Sequence, residues 1–250
     1  MKILLTNDDG IQAIGLRSIY HALVRAGHDV RVVAPVTEMS AVGHAVTLAA
    51  PLRVKIFDEK DFYGQGVSGT PADCVKLGLT TLLESPPDLV VSGINAGANV
   101  GVDILYSGTV SAATEGALMG FPALALSYDS FSPTDLAGQA DFAAGFLSKV
   151  DWAALPGHCV LNMNFPALSM DQVRGLRVCP QTHAAYHDWY DARVDPRGRP
   201  YYWLTGVIPT ERVLPGQDRA LLTEGYMTLT PLRFDFTDHE TMERLSGLSF

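Results

Sequence analysis

The sequence predicts an α/β protein with a doubly wound, mostly parallel, Rossmann-like sheet, helices on both faces, and C-terminal β-hairpins or extended arms. Three observations support this class: short apolar runs without alternation, helical spacing between them, and a change of texture after Pro166. Uninterrupted apolar runs are typical of parallel strands that are covered on both faces. The 250 residues are enough for one large core, so we expect a single domain over residues 1–250.

The opening of the chain predicts a β-α-β unit. Residues 2–6 form a short apolar run, and residues 30–34 predict a second strand. Residues 12–26 lie between them with helical spacing of their apolar side chains, and Gly27 stands where a glycine often ends a helix. A β-α-β opening favours a parallel sheet with right-handed crossovers.

The middle of the chain continues the alternation of strands and helices. A helix over residues 70–83 is well marked, because Thr70 suits the N-cap, Pro71 the first helical position and Asp73 a capping box. The remaining strands are predicted at 89–91, 123–126 and 159–163, and the remaining helices at about 110–119 and 135–149. Residues 1–165 therefore predict the core sheet layer.

The chain after Pro166 is rich in Pro, Arg, Tyr and Trp between residues 180 and 203. Its short strand-like pieces, such as residues 201–204, predict hairpins and extended arms outside the main sheet over residues 166–250. The aromatic side chains indicate either a subunit contact or burial within one chain.

Composition limits the possible partners. The 27 acidic and 18 basic residues give a formal charge of −9, which argues against a nucleic-acid polymer because phosphate backbones need a basic surface. An acidic protein that handles phosphate needs a local positive charge, and a bound cation supplies one. The sequence has no apolar run of roughly 18 residues and starts without a signal-peptide pattern, so we expect a cytoplasmic protein with no membrane partner.

Cysteine and histidine show no metal-binding spacing. Cys74, Cys159 and Cys179 lie far apart and predict reduced packing residues, not a zinc knuckle or a disulfide framework. His44 and His183 are expected to be surface or hydrogen-bonding residues and not ligands.

Asp8 and Asp9 are the leading candidates for a metal site, because they follow the first strand at the sheet edge where α/β proteins bind ligands. Two adjacent carboxylates repel each other and lose solvation there, and a divalent cation removes that cost. Gly10 allows a sharp turn that lets both side chains face one point. The alternative is an Asx turn with solvated carboxylates. On these residues alone the two interpretations weigh equally.

Two further loops are expected at the same edge. Asn95 and Asn99 follow the strand at 89–91, and Ser40 lies in the loop after the second strand. Carboxylate, amide and hydroxyl oxygens suit Mg²⁺, Mn²⁺ or Ca²⁺ better than zinc.

Residues 106–110 enter a helix made of small residues. Its backbone N–H groups and the hydroxyls of Ser107 and Thr109 are able to surround an anion, although a plain N-cap explains them equally well. The sequence has no Walker A lysine motif, and these loops contain no G-x-G-x-x-G, so they do not indicate a nucleotide cofactor.

Four ordered blocks resemble the survival protein E (SurE) nucleotidases, metal-dependent phosphatases of nucleoside 5′- and 3′-monophosphates. The blocks are residues 3–11, 68–75, 92–101 and 106–110, and later pieces at 164–166, 201–203 and 229–232 extend the similarity over nearly the whole chain. Two positions depart from the family pattern: Met39 stands where glutamine is usual, and Ile14 replaces a common proline.

The resemblance implies one divalent cation per subunit, Mg²⁺ or Mn²⁺, at a site that Ca²⁺ can also occupy. The implied metal ligands are Asp8, Asp9, Ser40 and Asn95. The implied catalytic residues are Asp8 and Asp9 together with Asn99, Ser107, Gly108 and Thr109 near the phosphate. Family members form homodimers or homotetramers with exchanged C-terminal arms, so residues 166–250 are expected to include an oligomerisation arm.

The expected activity is hydrolysis of nucleoside 5′- and 3′-monophosphates, small phosphomonoesters. In this interpretation the cation acts as a Lewis acid and lowers the pKa of a water that attacks phosphorus, and Asp8 or Asp9 accepts a proton. One alternative is a haloacid-dehalogenase-like phosphatase with an aspartate nucleophile, although the sequence lacks a D-x-D-x-T arrangement. The other is a non-catalytic module that binds a nucleotide or a metal.

Overall fold

The computed structural model describes residues 1–184, 187–207 and 212–248. Within them the strands are β1 Lys2–Thr6, β2 Asp29–Pro35, β3 Val54–Glu59, β4 Phe62–Val67, β5 Leu89–Ala96, β6 Ala123–Tyr128, β7 Cys159–Phe165, β8 Leu176–Val178, β9 His187–Val194, β10 Pro200–Val207 and β11 Met227–Arg233. The helices are α1 Ile14–Arg25, α2 Pro71–Leu77, α3 Gly108–Leu118, α4 Ala137–Leu147, α5 Asp218–Thr223 and α6 His239–Ser246. None of the described helices is long and apolar enough to cross a membrane.

A nine-stranded sheet runs through the described residues in the order β3-β4-β2-β1-β5-β6-β7-β11-β8. The six neighbouring strands β4, β2, β1, β5, β6 and β7 are parallel to one another. β3 runs antiparallel to β4, and β11 runs antiparallel to β7. β1 lies near the middle of the sheet, with β2 on one side and β5 on the other. This architecture confirms the predicted α/β class.

The first strand shows why its apolar run is uninterrupted. Ile3, Leu4 and Leu5 are fully buried, and alternate side chains point to opposite faces of the sheet. Ile3 and Leu5 belong to a hydrophobic cluster that includes α1 and α4, whereas Leu4 belongs to a second cluster that includes α2 and α3. Helices therefore cover both faces, and each face requires an apolar side chain.

Several predicted elements differ from the structure at their ends. The first helix begins at Ile14 and ends at Arg25, and Gly27 follows with φ +84°, as its predicted role requires. The helix predicted over 70–83 ends at Leu77 and continues as a π-helical turn over 78–82. The hairpin of β3 and β4, at one sheet edge, was not predicted.

The prediction that the chain after Pro166 lies outside the main sheet is wrong for β8 and β11. β11 is inserted between β7 and β8, which makes it an interior strand of the sheet. β9 and β10 do form a separate antiparallel hairpin, as predicted. The predicted C-terminal region also includes residues 185–186, 208–211 and 249–250, which lie outside the described residues.

Asp73 ties the start of α2 to the long loop after β2. Thr70 Oγ1 accepts a hydrogen bond from Asp73 N, and Asp73 Oδ2 accepts one from Thr70 N at 2.9 Å, which completes the predicted capping box. The same carboxylate accepts from Thr47 N at 3.0 Å and from Thr47 Oγ1 at 2.6 Å. Burial opposes ionisation, but the bonds from Thr47 and Thr70 outweigh it and hold the pKa of Asp73 below its usual range.

We expect Asp73→Asn to destabilise the fold by about 1–3 kcal/mol at pH 7, because one buried donor loses its acceptor. The pKa of Asp73 is lowered in the folded state, so its contribution is present above the unfolded pKa near 4 and is lost as the pH falls through the folded value. Urea unfolding at pH 7 and pH 3 measures both effects.

Asp61 is exposed, so Asp61→Asn serves as the matched control. Equal stability of Asp73→Asn and wild type at pH 7 would show that the capping box does not support the loop.

Candidate functional site

A cleft of about 660 Å³ opens at the carboxyl ends of β1 and β5. In the order of strands, β2 is the neighbour of β1 on one side and β5 is its neighbour on the other. The cleft therefore lies at a topological switch point of the sheet. Its polar lining residues are Asp8, Asp9, Glu38, Ser40, Asn95, Asn99, Asp103, Ser107 and Ser132. All four predicted metal ligands, which come from three separate segments of the chain, therefore line one cleft.

Asp8 is almost wholly buried at 5% exposure. The Thr109 hydroxyl donates a hydrogen bond to Asp8 Oδ1, and the Asp8 backbone carbonyl accepts one from Met39 N at 2.8 Å. Burial raises the pKa of Asp8, although the bond from Thr109 opposes the increase. The alternative of two solvated carboxylates in an Asx turn therefore does not hold for Asp8.

Asp9 is less buried than Asp8 and faces the end of β5. Its Oδ2 accepts a hydrogen bond from Ala96 N at 2.9 Å. Burial raises the pKa of Asp9 to about 6, against the effect of the Ala96 N–H, and the charges of Asp8 and Glu38 add to the increase. Both aspartates are thus held where ionisation is unfavourable without a compensating positive charge.

Ser40 and Asn95 present the remaining predicted ligand atoms. Asn95 Nδ2 donates to the Gly97 carbonyl at 2.8 Å, and in the described part of the chain no group donates to Asn95 Oδ1. Ser40 Oγ donates to Glu38 Oε1 at 2.5 Å. Residues 1–184, 187–207 and 212–248 contain no group of three or more His, Cys, Asp or Glu placed to hold a metal. A cation at this site would therefore also need the oxygens of Ser40 and Asn95.

The charge of the cleft fits a cation. Four of its lining residues are acidic, and none of its described lining residues is Lys, Arg or His. Asp103 is paired with Arg219 at 2.5 Å, which leaves Asp8, Asp9 and Glu38 without a basic partner in the lining. Hard oxygen atoms with excess negative charge are the ligands that Mg²⁺, Mn²⁺ and Ca²⁺ prefer. The residues present therefore fit a divalent cation.

Asn99 is held by two neighbouring strands. Its backbone N–H donates to Asn164 Oδ1 and its side-chain amide donates to Ser127 Oγ, both at 2.8 Å. Asn162 Nδ2 donates to the Asn99 carbonyl, also at 2.8 Å. These three supporting residues, on β6 and β7, were not predicted. Asn164 stands in the family-like block at 164–166, which was the available indication.

The first residues of α3 contact Asp8. Ser107 lines the cleft and is the N-cap of the helix, since its Oγ accepts from Val110 N at 3.0 Å. Gly108 and Thr109 do not line the cleft, and both contact Asp8 instead. A Cβ atom at Gly108 would lie 2.7 Å from the Asp8 Cβ. The anion at this helix N-terminus is therefore the Asp8 carboxylate, and contact of these residues with phosphate stays a prediction.

Neither histidine singled out in the sequence lines the cleft. His44 Nε2 lies 2.7 Å from Glu115 Oε2, and Lys76 pairs with the same carboxylate. The bond to His44, followed by the bond to Lys76, lowers the pKa of Glu115 against the effect of its burial. His183 is exposed.

Comparison with known proteins gives consistent results. The family model described as Survival protein SurE matches residues 3–188. The 5'-nucleotidase SurE of Nitratidesulfovibrio vulgaris (strain DSM 19637 / Miyazaki F) is 69% identical over 98% of this chain and 91% of that protein. The 5'-nucleotidase SurE of Maridesulfovibrio salexigens is 64% identical over 99% and 100%. The crystal structure of the SurE protein from Aquifex aeolicus matches with a TM-score of 0.85 and 37% identity over 98% of each chain.

We expect Thr109→Val to weaken Mn²⁺ binding by roughly 10- to 100-fold, because Asp8 loses the donor that orients it. Isothermal titration of the folded, metal-free protein measures the Kd. Thr109→Ser keeps the hydroxyl and should stay close to wild type. Thr114→Val is the matched control, since the Thr114 hydroxyl donates to the Val110 carbonyl within the same helix. Unchanged affinity in Thr109→Val would show that this hydroxyl does not prepare Asp8 for a cation.

In the presence of chelator, Asp9 should make the protein less stable as the pH rises from about 5 to 7.5. The folded pKa of Asp9 is about 6, above the unfolded value near 4, so the folded state loses a proton over this range that the unfolded state has already lost. The Tm of Asp9→Asn relative to wild type should therefore increase between pH 5 and pH 7.5.

Scanning calorimetry at the two pH values gives this difference, and Asp61→Asn should show no such trend. If the advantage of Asp9→Asn were the same at both values, burial would not control the ionisation of Asp9.

Proposed function

Because the chain belongs to the Survival protein SurE family, we propose that it hydrolyses nucleoside 5′- and 3′-monophosphates with the help of one divalent cation. Its relatives are named 5'-nucleotidases, and the chain is accordingly a phosphatase of the hydrolase class. The composition of the cleft is the observation that supports metal-dependent hydrolysis of nucleotides. The cleft combines the buried Asp8 and the half-buried Asp9 with a hydroxyl, an amide and an excess of negative charge.

The proposed ligands of the cation are Asp8, Asp9, Ser40 and Asn95. When bound, a divalent cation polarises a phosphoryl oxygen and lowers the pKa of a water molecule, in addition to balancing the carboxylate charge. The chain contributes a rigid frame for these ligands, because Thr109 fixes one Asp8 oxygen and Ala96 N fixes one Asp9 oxygen.

Asp9 is the better placed of the two aspartates to accept a proton from the attacking water. It is more exposed than Asp8, and of its two oxygens only Oδ2 accepts a hydrogen bond from the described residues, which leaves Oδ1 for a proton. The Ser107 hydroxyl accepts from Val110 N and keeps its own proton available, so it can donate to a phosphate oxygen. Asn99 lines the same wall, where the contacts from β6 and β7 restrict its movement.

The proposed substrate is a small monoester and not a polymer. A cleft of about 660 Å³ has the size of a pocket for a small ligand, and it exceeds the need of inorganic phosphate alone. A net charge of −9 and the acidic cleft lining disfavour a long polyanion.

The function is tested by phosphate release from AMP, GMP and 3′-AMP with and without EDTA. We expect chelator to abolish turnover and Mn²⁺ or Mg²⁺ to restore it. Asp8→Asn and Asp9→Asn should each lower kcat by at least about 100-fold while the circular dichroism spectrum stays that of the wild type. Asp61→Asn should retain full turnover as a control for the loss of a carboxylate.

Full activity in excess EDTA would contradict the metal assignment. Faster cleavage of bis(p-nitrophenyl) phosphate or single-stranded DNA than of AMP would indicate a phosphodiesterase instead. Direct attack by water should invert the configuration at phosphorus when a monoester made chiral with oxygen isotopes is hydrolysed. Retention of configuration, or a trapped aspartyl phosphate on Asp8 or Asp9, would favour an aspartate nucleophile, because two displacements then take place at phosphorus.

We further propose that the protein is a homodimer or homotetramer. Among the described residues β9 and β10 pair only with each other, and an isolated two-stranded hairpin is marginally stable in water. Its exposed side chains include Tyr190, Tyr202, Trp203 and Leu204, each at least 60% exposed. Helix α6 has no buried residue, although Met242 and Leu245 form an apolar strip on it. Apolar surfaces of this kind are typical of subunit contacts.

Light scattering during size exclusion should give two or four times the chain mass of 26.9 kDa. Trp203→Asp should lower that mass or weaken the assembly at micromolar concentration, because it places a charge in the contact. Tyr63→Asp, at another exposed aromatic, should not. A wild-type mass of 26.9 kDa at all concentrations would contradict the proposal.

A further inference from the structure

Two aromatic side chains lie at the rim of the cleft without a role in the hydrophobic core. Phe131 is 88% exposed and Tyr106 is 63% exposed, and both line the cleft. An exposed phenylalanine loses the free energy that its burial would provide. Its position at the mouth of a binding cleft is therefore best explained by a ligand that covers it.

The ring of Phe131 is supported on one side by the loop that carries Asn95 and Asn99. A Cβ atom at Gly97 would lie 2.8 Å from Phe131 Cε1 and 3.2 Å from Cδ1, so the ring rests directly against the glycine backbone. Gly97 has φ +115° and its N–H donates to the Tyr128 carbonyl at 2.8 Å, which fixes the supporting surface. The high exposure of Phe131 leaves most of its ring surface open.

The deep part of the cleft contains polar groups, and its mouth carries large exposed apolar side chains. Asp8, Asn99 and Ser107 are each at most 6% exposed and form its floor. Ile14, Tyr106 and Phe131 are the large exposed apolar side chains of its lining, between 39% and 88% exposed, whereas the apolar Ile94 lies buried. A monoester whose phosphate lies on the floor must extend its other end toward this rim.

We propose that Phe131, with Tyr106 beside the cleft, forms the subsite that binds the nucleobase by stacking. This inference rests on the proposed nucleotidase function and names the part of the substrate that the apolar rim recognises. Every base has a π-face, so stacking on Phe131 selects aromatic bases with little discrimination among them.

The test compares AMP with ribose 5-phosphate, which has the same phosphoester and sugar but no base. Phe131→Ala should lower kcat/KM for AMP by roughly 5- to 100-fold, and by at least fivefold more than for ribose 5-phosphate. Most of the change should appear in KM. Phe131→Trp should restore AMP hydrolysis, whereas Phe131→Leu, which is apolar but not aromatic, should restore less. Tyr63→Ala removes an exposed aromatic on β4 and should change neither substrate.

Adenosine gives a readout without turnover. It should bind the wild-type protein in isothermal titration and inhibit ribose 5-phosphate hydrolysis competitively, and Phe131→Ala should weaken both effects. Equal losses for AMP and ribose 5-phosphate in Phe131→Ala, or no loss for either, would overturn the base subsite while leaving the nucleotidase function intact. A wild-type protein that releases phosphate from neither ester would overturn the proposed function and the subsite together.

Discussion

The burial of two adjacent carboxylates at the end of the central strand is the constraint on which the rest of the site depends. Asp8 is almost wholly removed from water, and Asp9 is partly removed beside it. The surrounding groups accommodate the two carboxylates. Thr109 donates to one carboxylate and Ala96 N to the other, and Gly108 leaves the space that a side chain would take from Asp8. The negative charge of the two carboxylates has no basic partner among the described residues that line the cleft.

The order of the strands brings the other residues of the site next to the two aspartates. β1 lies between β2 and β5, so the loops that follow these three strands meet at one edge although they are far apart in the sequence. The next two strands, β6 and β7, then hold Asn99 from the opposite side through Ser127 and Asn164. Five neighbouring parallel strands thus contribute to one cleft, and each contributes at its carboxyl end.

The parts of the structure that the sequence predicted are those controlled by local rules. The apolar run of β1 and the capping box of α2 follow from burial and hydrogen bonding over a few residues. β4 was not predicted because it contains Gly64 and Gly66, and glycine weakens the sequence pattern of a strand. A Cβ atom at Gly66 would lie 2.6 Å from the Phe57 ring, so the glycine is there for packing across the hairpin. Such long-range reasons are not visible in a window of sequence.

In the candidate site, too, features set by local rules were predicted and features set by distant contacts were not. The polar residues after β1, β2 and β5 were predicted from their place in the chain, and all of them line the cleft. The orientation of Thr109 was not predicted, because it depends on α3 beginning at Gly108, two residues before the expected start. The interior position of β11 was missed because strand order in a sheet is decided by contacts between distant segments.

The position of β11 also governs when the protein can fold during its synthesis. The chain emerges from its N-terminus, so β1 to β7 are made first, and the outer edge of β7 has its hydrogen-bonding groups unpaired until residues 227–233 follow. An open edge of this kind is a template for pairing with another nascent chain. Translation of the intervening residues, which include the aromatic hairpin, is therefore the interval in which the growing chain most needs protection by a chaperone.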